Sequence, residues 1–124
     1  MEVKSLALVV DDEPGILRFV KVGLQSAGFD VIATTSGREA LSLAQAGEVD
    51  IMILDIYMEP LSGFDVLKEL RTFSLIPVVI ITARSEAAKM ALDQGANSYV
   101  IKPFLIEQLA VEVRGVLTKE SELE

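Results

Sequence analysis

Short, mostly apolar runs alternate along the chain with stretches whose apolar residues recur every three or four positions. Each run is followed by turn-forming or charged residues. Uninterrupted apolar runs of this length are typical of strands buried on both faces, as in parallel sheets. The pattern predicts five strands, which are Leu6–Val10, Val31–Thr34, Ile51–Leu54, Val78–Ile81 and Ser98–Ile101.

A stretch with helical spacing follows each predicted strand. Pro14 suits the first position of a helix, and Gly28 suits the position just past its end. The predicted helices run from Pro14 to Ala27, from Ser36 or Gly37 to near Gly47, from Gly63 to Phe73, from about Glu86 to Gln94, and from about Leu105 onwards. The inner faces of the third and fifth are predicted to carry Phe64, Leu67 and Leu70, and Leu105, Leu109, Val113 and Val116 or Leu117.

Five βα units in succession predict an α/β fold with a doubly wound parallel sheet. Right-handed crossovers then place helices on both faces of that sheet. A chain of 124 residues is long enough for one domain with a single core.

Composition removes several classes of function. The net charge of −8 argues against direct binding of nucleic acid, which needs a basic surface. The chain has no His and no Cys, which excludes His bases, thiolate metal sites and disulfides. No apolar run is long enough for a membrane span, and the first residues do not resemble a signal peptide, so a cytoplasmic location is expected.

Polar residues stand at the ends of four predicted strands: Asp11 with Asp12, then Asp55, Thr82 and Lys102. The carboxyl ends of parallel strands share one edge of the sheet, where ligands of open α/β sheets bind. Carboxylates gathered there repel each other unless a cation joins them. Oxygen ligands without His or Cys favour a hard ion, and Mg²⁺ is the predicted cofactor.

An Asp beside such an ion is a competent nucleophile toward phosphorus and forms an acyl phosphate. Phosphoryl transfer then needs positive charge and hydrogen-bond donors on the phosphoryl oxygens. Lys102 would supply the charge, and Thr82 and the Ala83 backbone N–H would supply donors. Each residue also has an ordinary role open to it, as a helix cap, a turn residue or a solvated lysine. Their coincidence at four strand ends favours the shared site.

Several motifs occur in order along essentially the whole chain, namely Val9-Val10-Asp11-Asp12-Glu13-Pro14, Leu54-Asp55, Gly63-Phe64-Asp65-Val66-Leu67, Ile81-Thr82-Ala83-Arg84 and Lys102-Pro103-Phe104. This set resembles the signature of response-regulator receiver domains of two-component signalling. The resemblance implies a flavodoxin-like fold with strand order 2-1-3-4-5. That order places the ends of the first and third strands side by side, so that the three carboxylates would meet.

The resemblance also implies roles for individual residues. Asp55 would be the phosphoacceptor. Asp12 would be a direct Mg²⁺ ligand, Asp11 a more distant or water-bridged ligand, and the Tyr57 backbone carbonyl a third protein ligand. Thr82 and Lys102 would contact the phosphoryl group. Thr82 and Tyr99 would form the switch, with the Tyr99 ring turning inward on activation.

The function so implied is a phosphorylation-activated signalling switch that catalyses only its own phosphorylation and dephosphorylation. The expected donor is a sensor histidine kinase or a histidine phosphotransfer protein, with small acyl phosphates as substitutes. The expected target is a downstream protein or an effector domain missing from this sequence, and homodimerisation stays open. Residues 1–118 would form the receiver, and residues 119–124 a C-terminal tail or truncated linker.

Three alternatives fit less well. A haloacid-dehalogenase-type phosphatase needs a second Asp where Tyr57 stands, and a nucleotide-binding enzyme needs a glycine-rich loop where Asp11-Asp12-Glu13 stands. A pseudo-receiver, an interaction module without phosphorylation, usually lacks an acid or the lysine.

The chain also departs from the receiver pattern. Receivers commonly carry Pro four residues after the phosphoacceptor, whereas this chain has Glu59 at that position and Pro60 one residue later. The interval from Thr82 to Lys102 is also about two residues shorter than usual, which predicts a short or displaced fourth helix. The positions of Tyr57 and Arg84, two residues after Asp55 and Thr82, vary in the family, and here both carry bulky side chains. The Lys102–Pro103 peptide bond is predicted to be cis.

Overall fold

Strands and helices alternate through the whole of the computed structural model, which describes residues 4–122. Five strands and five helices confirm the predicted βα pattern. Their bounds are β1 Leu6–Val10, α1 Pro14–Ser26, β2 Asp30–Thr34, α2 Gly37–Gln45, β3 Ile51–Asp55, α3 Gly63–Leu70, β4 Val78–Thr82, α4 Ser85–Asp93, β5 Ser98–Ile101 and α5 Ile106–Glu122.

The strands form one parallel sheet in the order β2-β1-β3-β4-β5, which confirms the predicted topology. Leu54 of β3 lies beside Val10 of β1, and Asp55 lies beside Ile81 of β4. The order along the sheet reverses between β1 and β3. Ligand sites of open α/β sheets lie at such a point, outside the carboxyl ends of the strands.

The core consists of two apolar layers, one on each face of the sheet. Side chains alternate between the faces, so Met52 and Leu54 join one layer while Ile51 and Ile53 join the other. Helices α2, α3 and α4 cover the first layer, and α1 and α5 cover the second. A sheet packed on both sides holds its strand ends rigidly, which is what a site built on those ends requires.

Two details of the helix predictions are wrong. Helix α3 ends at Leu70 rather than Phe73, and the turn that follows is held by the Arg71 guanidinium, which binds the carbonyl oxygens of Ser74 and Ile76. Phe64 packs against the core layer as predicted, although it is only partly buried, and Val66 is fully buried beside Leu67 and Leu70.

Leu105 is not on the inner face of α5. It precedes the helix and is 66% exposed, and Ile106 packs inward in its place. The reason lies in α1, where a Cβ atom on Gly23 would stand 2.0 Å from the Ile106 side chain. The missing side chain of Gly23 therefore leaves the space that Ile106 fills. No helix within residues 4–122 combines the length and apolarity needed to cross a bilayer.

Candidate functional site

The strand order brings the predicted site residues to one edge of the sheet. Asp11 follows β1, Asp55 ends β3, Thr82 ends β4 and Lys102 follows β5. These strands are neighbours in the sheet. The site residues predicted from the sequence therefore lie together at the ends of four adjacent strands.

Three carboxylates form the centre of the site. Asp11, Asp12 and Asp55 each place one oxygen within 4.8 Å of the other two. Asp11 and Asp55 are buried, whereas Asp12 is exposed. The Asp11 carboxylate is held by the Glu13 backbone N–H over 2.9 Å, and the Asp11 N–H donates to the Thr34 carbonyl over 3.2 Å. Asp11 is thus fixed from two sides.

The ammonium of Lys102 joins the two buried carboxylates. Its Nζ donates to Asp11 Oδ2 over 2.8 Å and to Asp55 Oδ1 over 3.3 Å, and Glu13 Oε1 lies 3.8 Å away. The backbone directs it there, since the Lys102 N–H donates to the Thr82 carbonyl over 2.8 Å. The Lys102–Pro103 bond is cis, as predicted, and the Glu59–Pro60 bond is also cis.

Burial and neighbouring charges both shift the pKa values of Asp55 and Lys102. The pKa of Asp55 is raised from 3.8 to about 6, first by burial and then by the Asp11 charge, while Lys102 opposes the rise. Burial alone would lower the pKa of Lys102, but its hydrogen bond to Asp11 and the charges of Asp11 and Asp55 outweigh burial, and the pKa is raised. Lys102 therefore stays charged, and Asp55 is mostly ionised at neutral pH.

Thr82 and Tyr99 occupy the neighbouring strands. Thr82 is fully buried, and its hydroxyl oxygen accepts the Arg84 N–H over 3.3 Å, at the start of α4. Ala83 follows it at the surface. Tyr99 lies opposite Ile80 in the β4–β5 pair, half-buried, with its ring against the core layer under α2, α3 and α4.

The loops beside the site carry a pair of large side chains. The guanidinium carbon of Arg84 lies 6.0 Å from the centre of the Tyr57 ring, which is within reach of a cation–π contact. The pair therefore connects the loop after β3 with the loop after β4. A cavity of about 320 Å³ opens beside Asp12 and Tyr57 and is also lined by Met58, Glu59 and Phe64.

The donor set matches a hard divalent cation. The clustered ligand atoms are all carboxylate oxygens, and the chain offers no imidazole or thiolate. Mg²⁺ accepts one or two carboxylates and keeps several waters, so the exposed position of Asp12 suits it. The acidic cluster is consistent with a Mg²⁺ site.

Two neighbours of the site were not predicted from the sequence. Glu13 serves it through its backbone, because its N–H binds Asp11 in an Asp turn spanning two residues. A run of acids before Pro14 gives no sign of that bond. Gly63 was noted only as part of a motif, although a Cβ atom there would meet the backbone of Asp55.

Comparison with known proteins covers nearly the whole chain. The family model described as the response regulator receiver domain matches residues 7–114. The transcriptional regulatory protein KdpE of Mycobacterium tuberculosis is 38% identical over 119 residues, which are 94% of this chain and 53% of that protein. The response regulator ArlR of Staphylococcus saprophyticus is 33% identical over 115 residues, 91% of this chain and 52% of that protein. The chain spans about half the length of the curated relatives it matches.

Solved structures give the same picture. The chemotaxis response regulator CheY4 of Vibrio cholerae superposes with a TM-score of 0.86 at 32% identity, covering 92% of this chain and 99% of that one. The response regulator TrrA of Thermotoga maritima, solved in complex with Mg²⁺ and BeF, has a TM-score of 0.83 at 34% identity and covers 90% of this chain and 98% of that one.

Proposed function

This chain belongs to the response regulator receiver domain family, and from that premise we propose that it is a two-component switch phosphorylated on Asp55. The observation that carries the proposal is the cluster of three carboxylates with the Lys102 ammonium 3.3 Å from Asp55. Of the three carboxylates, Asp55 alone belongs to a strand and lies at the middle of the edge.

The proposed reaction uses the ionised Asp55 carboxylate as nucleophile. One carboxylate oxygen attacks phosphorus, and the bond from phosphorus to the donor breaks as the oxygen–phosphorus bond forms. With a phosphohistidine donor, the imidazole leaves with the electron pair and takes up a proton. A carboxyl with a pKa of about 6 is mostly ionised at pH 7, so no further base is required.

Mg²⁺ would be held by the carboxylates of Asp11, Asp12 and Asp55 and by the Tyr57 carbonyl. Bound there, the ion would neutralise charge on the phosphoryl oxygens. The all-oxygen donor set supports this assignment, and so does TrrA, the family member solved with Mg²⁺ and BeF.

The residues on and just after β4 and β5 would bind the phosphoryl group and report its presence. Lys102 would turn from the carboxylates to a phosphoryl oxygen, and the Ala83 N–H would donate to another. The Thr82 hydroxyl would donate to a third oxygen, and the space so opened would admit the Tyr99 ring. This hydrogen bond exists only in the phosphorylated state, so it supplies the free-energy difference that shifts the population.

We further propose the setting of the switch. The donor would be a sensor histidine kinase or a histidine phosphotransfer protein in the cytoplasm. Residues 1–118 would form the receiver, and residues 119–124 would lead toward an effector domain or end as a tail. KdpE, a transcriptional regulatory protein, and ArlR are each about twice as long as this chain, which supports the effector domain. Apart from its own phosphorylation and dephosphorylation, the domain would catalyse no reaction.

The test is incubation with acetyl phosphate and Mg²⁺, followed by intact-mass measurement. One phosphoryl group should be added, and it should be absent with EDTA and in Asp55→Asn. Asp30→Asn, at an exposed position on β2, is the matched control and should label like wild type. Full labelling of Asp55→Asn would contradict the assignment, and a wild type that never labels would favour a pseudo-receiver.

A further inference from the structure

The first residue of α3, Gly63, lies directly against the backbone of Asp55. A Cβ atom at position 63 would stand 2.3 Å from the Asp55 carbonyl oxygen and 2.7 Å from the Ile56 Cα. Both atoms belong to the backbone, so they cannot rotate away as the end of a side chain can. Any side chain at this position has to displace either the end of β3 or the start of α3.

The Gly63 amide also holds the peptide that follows the phosphoacceptor. Its N–H donates to the Ile56 carbonyl over 2.7 Å, and the Met58 N–H donates to the same oxygen over 3.1 Å. This carbonyl belongs to the peptide between Ile56 and Tyr57. The peptide therefore has Asp55 on one side and the Tyr57 carbonyl on the other, and two donors limit its rotation.

The start of α3 is itself anchored. Ser62 Oγ accepts the Asp65 N–H over 3.1 Å, while the Asp65 carboxylate accepts the Ser62 N–H over 3.0 Å. This reciprocal capping box fixes the first turn of the helix. The capping box, Gly63 and the Ile56 carbonyl thus form one continuous support behind the site.

We infer that Gly63 is a positioning residue, which aims the Asp55 carboxylate and the Tyr57 carbonyl without touching metal or phosphoryl group. The inference rests on the proposed function, because those two groups are its proposed ligand and acceptor atoms. A displacement of about 1 Å can cost a reaction of this kind roughly 100-fold, so a single methyl group at position 63 has a measurable effect.

Helix α2 provides matched controls, because it also begins with a Ser–Gly pair. Ser36 is its N-cap and accepts the Glu39 N–H over 3.1 Å. A Cβ atom on Gly37 would also be crowded, but only by side chains, with Val66 Cγ2 at 2.7 Å and Leu61 Cβ at 3.2 Å. Changes at these two positions disturb a helix start and its stability without pressing on the backbone of Asp55.

The experiment measures Mg²⁺ affinity by titration calorimetry and the rate of acetyl phosphate labelling at saturating Mg²⁺. Both are read at a temperature where circular dichroism shows each variant fully folded. Gly63→Ala should weaken Mg²⁺ binding and slow labelling by about tenfold or more each, while Gly37→Ala stays within about twofold of wild type. Ser62→Ala should weaken Mg²⁺ binding severalfold, and Ser36→Ala should not.

A folded Gly63→Ala protein with wild-type Mg²⁺ affinity and labelling rate would overturn the inference. If Gly63→Ala does not fold, the test is the comparison of Ser62→Ala with Ser36→Ala. Equal Mg²⁺ affinities in these two variants would overturn the inference. A wild type that neither binds Mg²⁺ nor labels would instead contradict the proposed function, and the positioning role with it.

Discussion

Replacement of Asp55 by Asn is expected to stabilise the metal-free protein at neutral pH. The pKa of Asp55 is raised to about 6 by burial and by Asp11, so the folded state binds this proton more tightly than the unfolded chain. Stability contributed by the protonated group is therefore lost as pH rises from about 4 through about 6. One pKa unit is worth about 1.4 kcal/mol, so ionised Asp55 lowers the free energy of unfolding by about 3 kcal/mol above pH 7.

The effect is measured by urea and thermal unfolding of both proteins in EDTA across pH 4 to 7.5. The advantage of Asp55→Asn should grow from below about 1 kcal/mol at pH 4 to about 3 kcal/mol above pH 7. For a domain of this size, that corresponds to a rise in Tm on the order of 10 °C. Asp30→Asn is the control, since its side chain is exposed and the change should cost or gain less than about 0.5 kcal/mol.

Addition of Mg²⁺ should then narrow the difference by stabilising wild type more than the variant, because ligand binding to the folded state adds to its stability. The reasoning is refuted if Asp55→Asn is no more stable than wild type at pH 7.5 in EDTA. It is equally refuted if the advantage is the same at pH 4 as at pH 7.5, since a carboxyl charge would then not be its source.

Three further predictions follow from the same geometry. Lys102→Gln should lower the free energy of unfolding by roughly 3 kcal/mol in EDTA, because two buried carboxylates lose their cation. Urea unfolding measures this loss beside the exposed control Lys68→Gln, and an equal loss in the two variants would contradict the prediction. Thr82→Ala should abolish the change in Tyr99 that beryllofluoride produces in wild type, and an NMR spectrum in which the Tyr99 ring is unmoved in wild type would disprove the coupling. Tyr57→Asn with Arg84→Ala should lose phosphate several times faster than wild type, because the bulk of this pair, which joins the two loops beside the site, is expected to obstruct the in-line approach of water. An unchanged or slower rate would show that the pair does not obstruct it.

The sheet and the carboxylate cluster could be predicted because each depends on local patterns. Apolar runs marked the strands, and the polar residue after each run marked the shared edge. Periodicity alone does not give the strand order, which came from the resemblance to receivers. Once that order is known, the meeting of Asp11, Asp12 and Asp55 follows from topology.

The features that could not be predicted from the sequence depend on contacts between distant segments. Leu105 and Ile106 both continue an apolar helix face at acceptable spacing, and Gly23, on another helix, decides between them. The turn after the early end of α3 is held by Arg71, whose guanidinium also binds the carbonyl of Gly95 in the turn after α4. The closeness of Gly63 to Asp55 likewise shows only when α3 is seated against β3.

Direct localisation of the phosphoryl group tests the central claim without altering the protein. Wild type treated with acetyl phosphate and Mg²⁺ is reduced with borohydride, which converts an aspartyl phosphate to homoserine, and peptide mass spectrometry locates the new residue. We expect homoserine at position 55 alone, and none when EDTA is present. Homoserine at position 11 or 12, or undiminished conversion in EDTA, would contradict it.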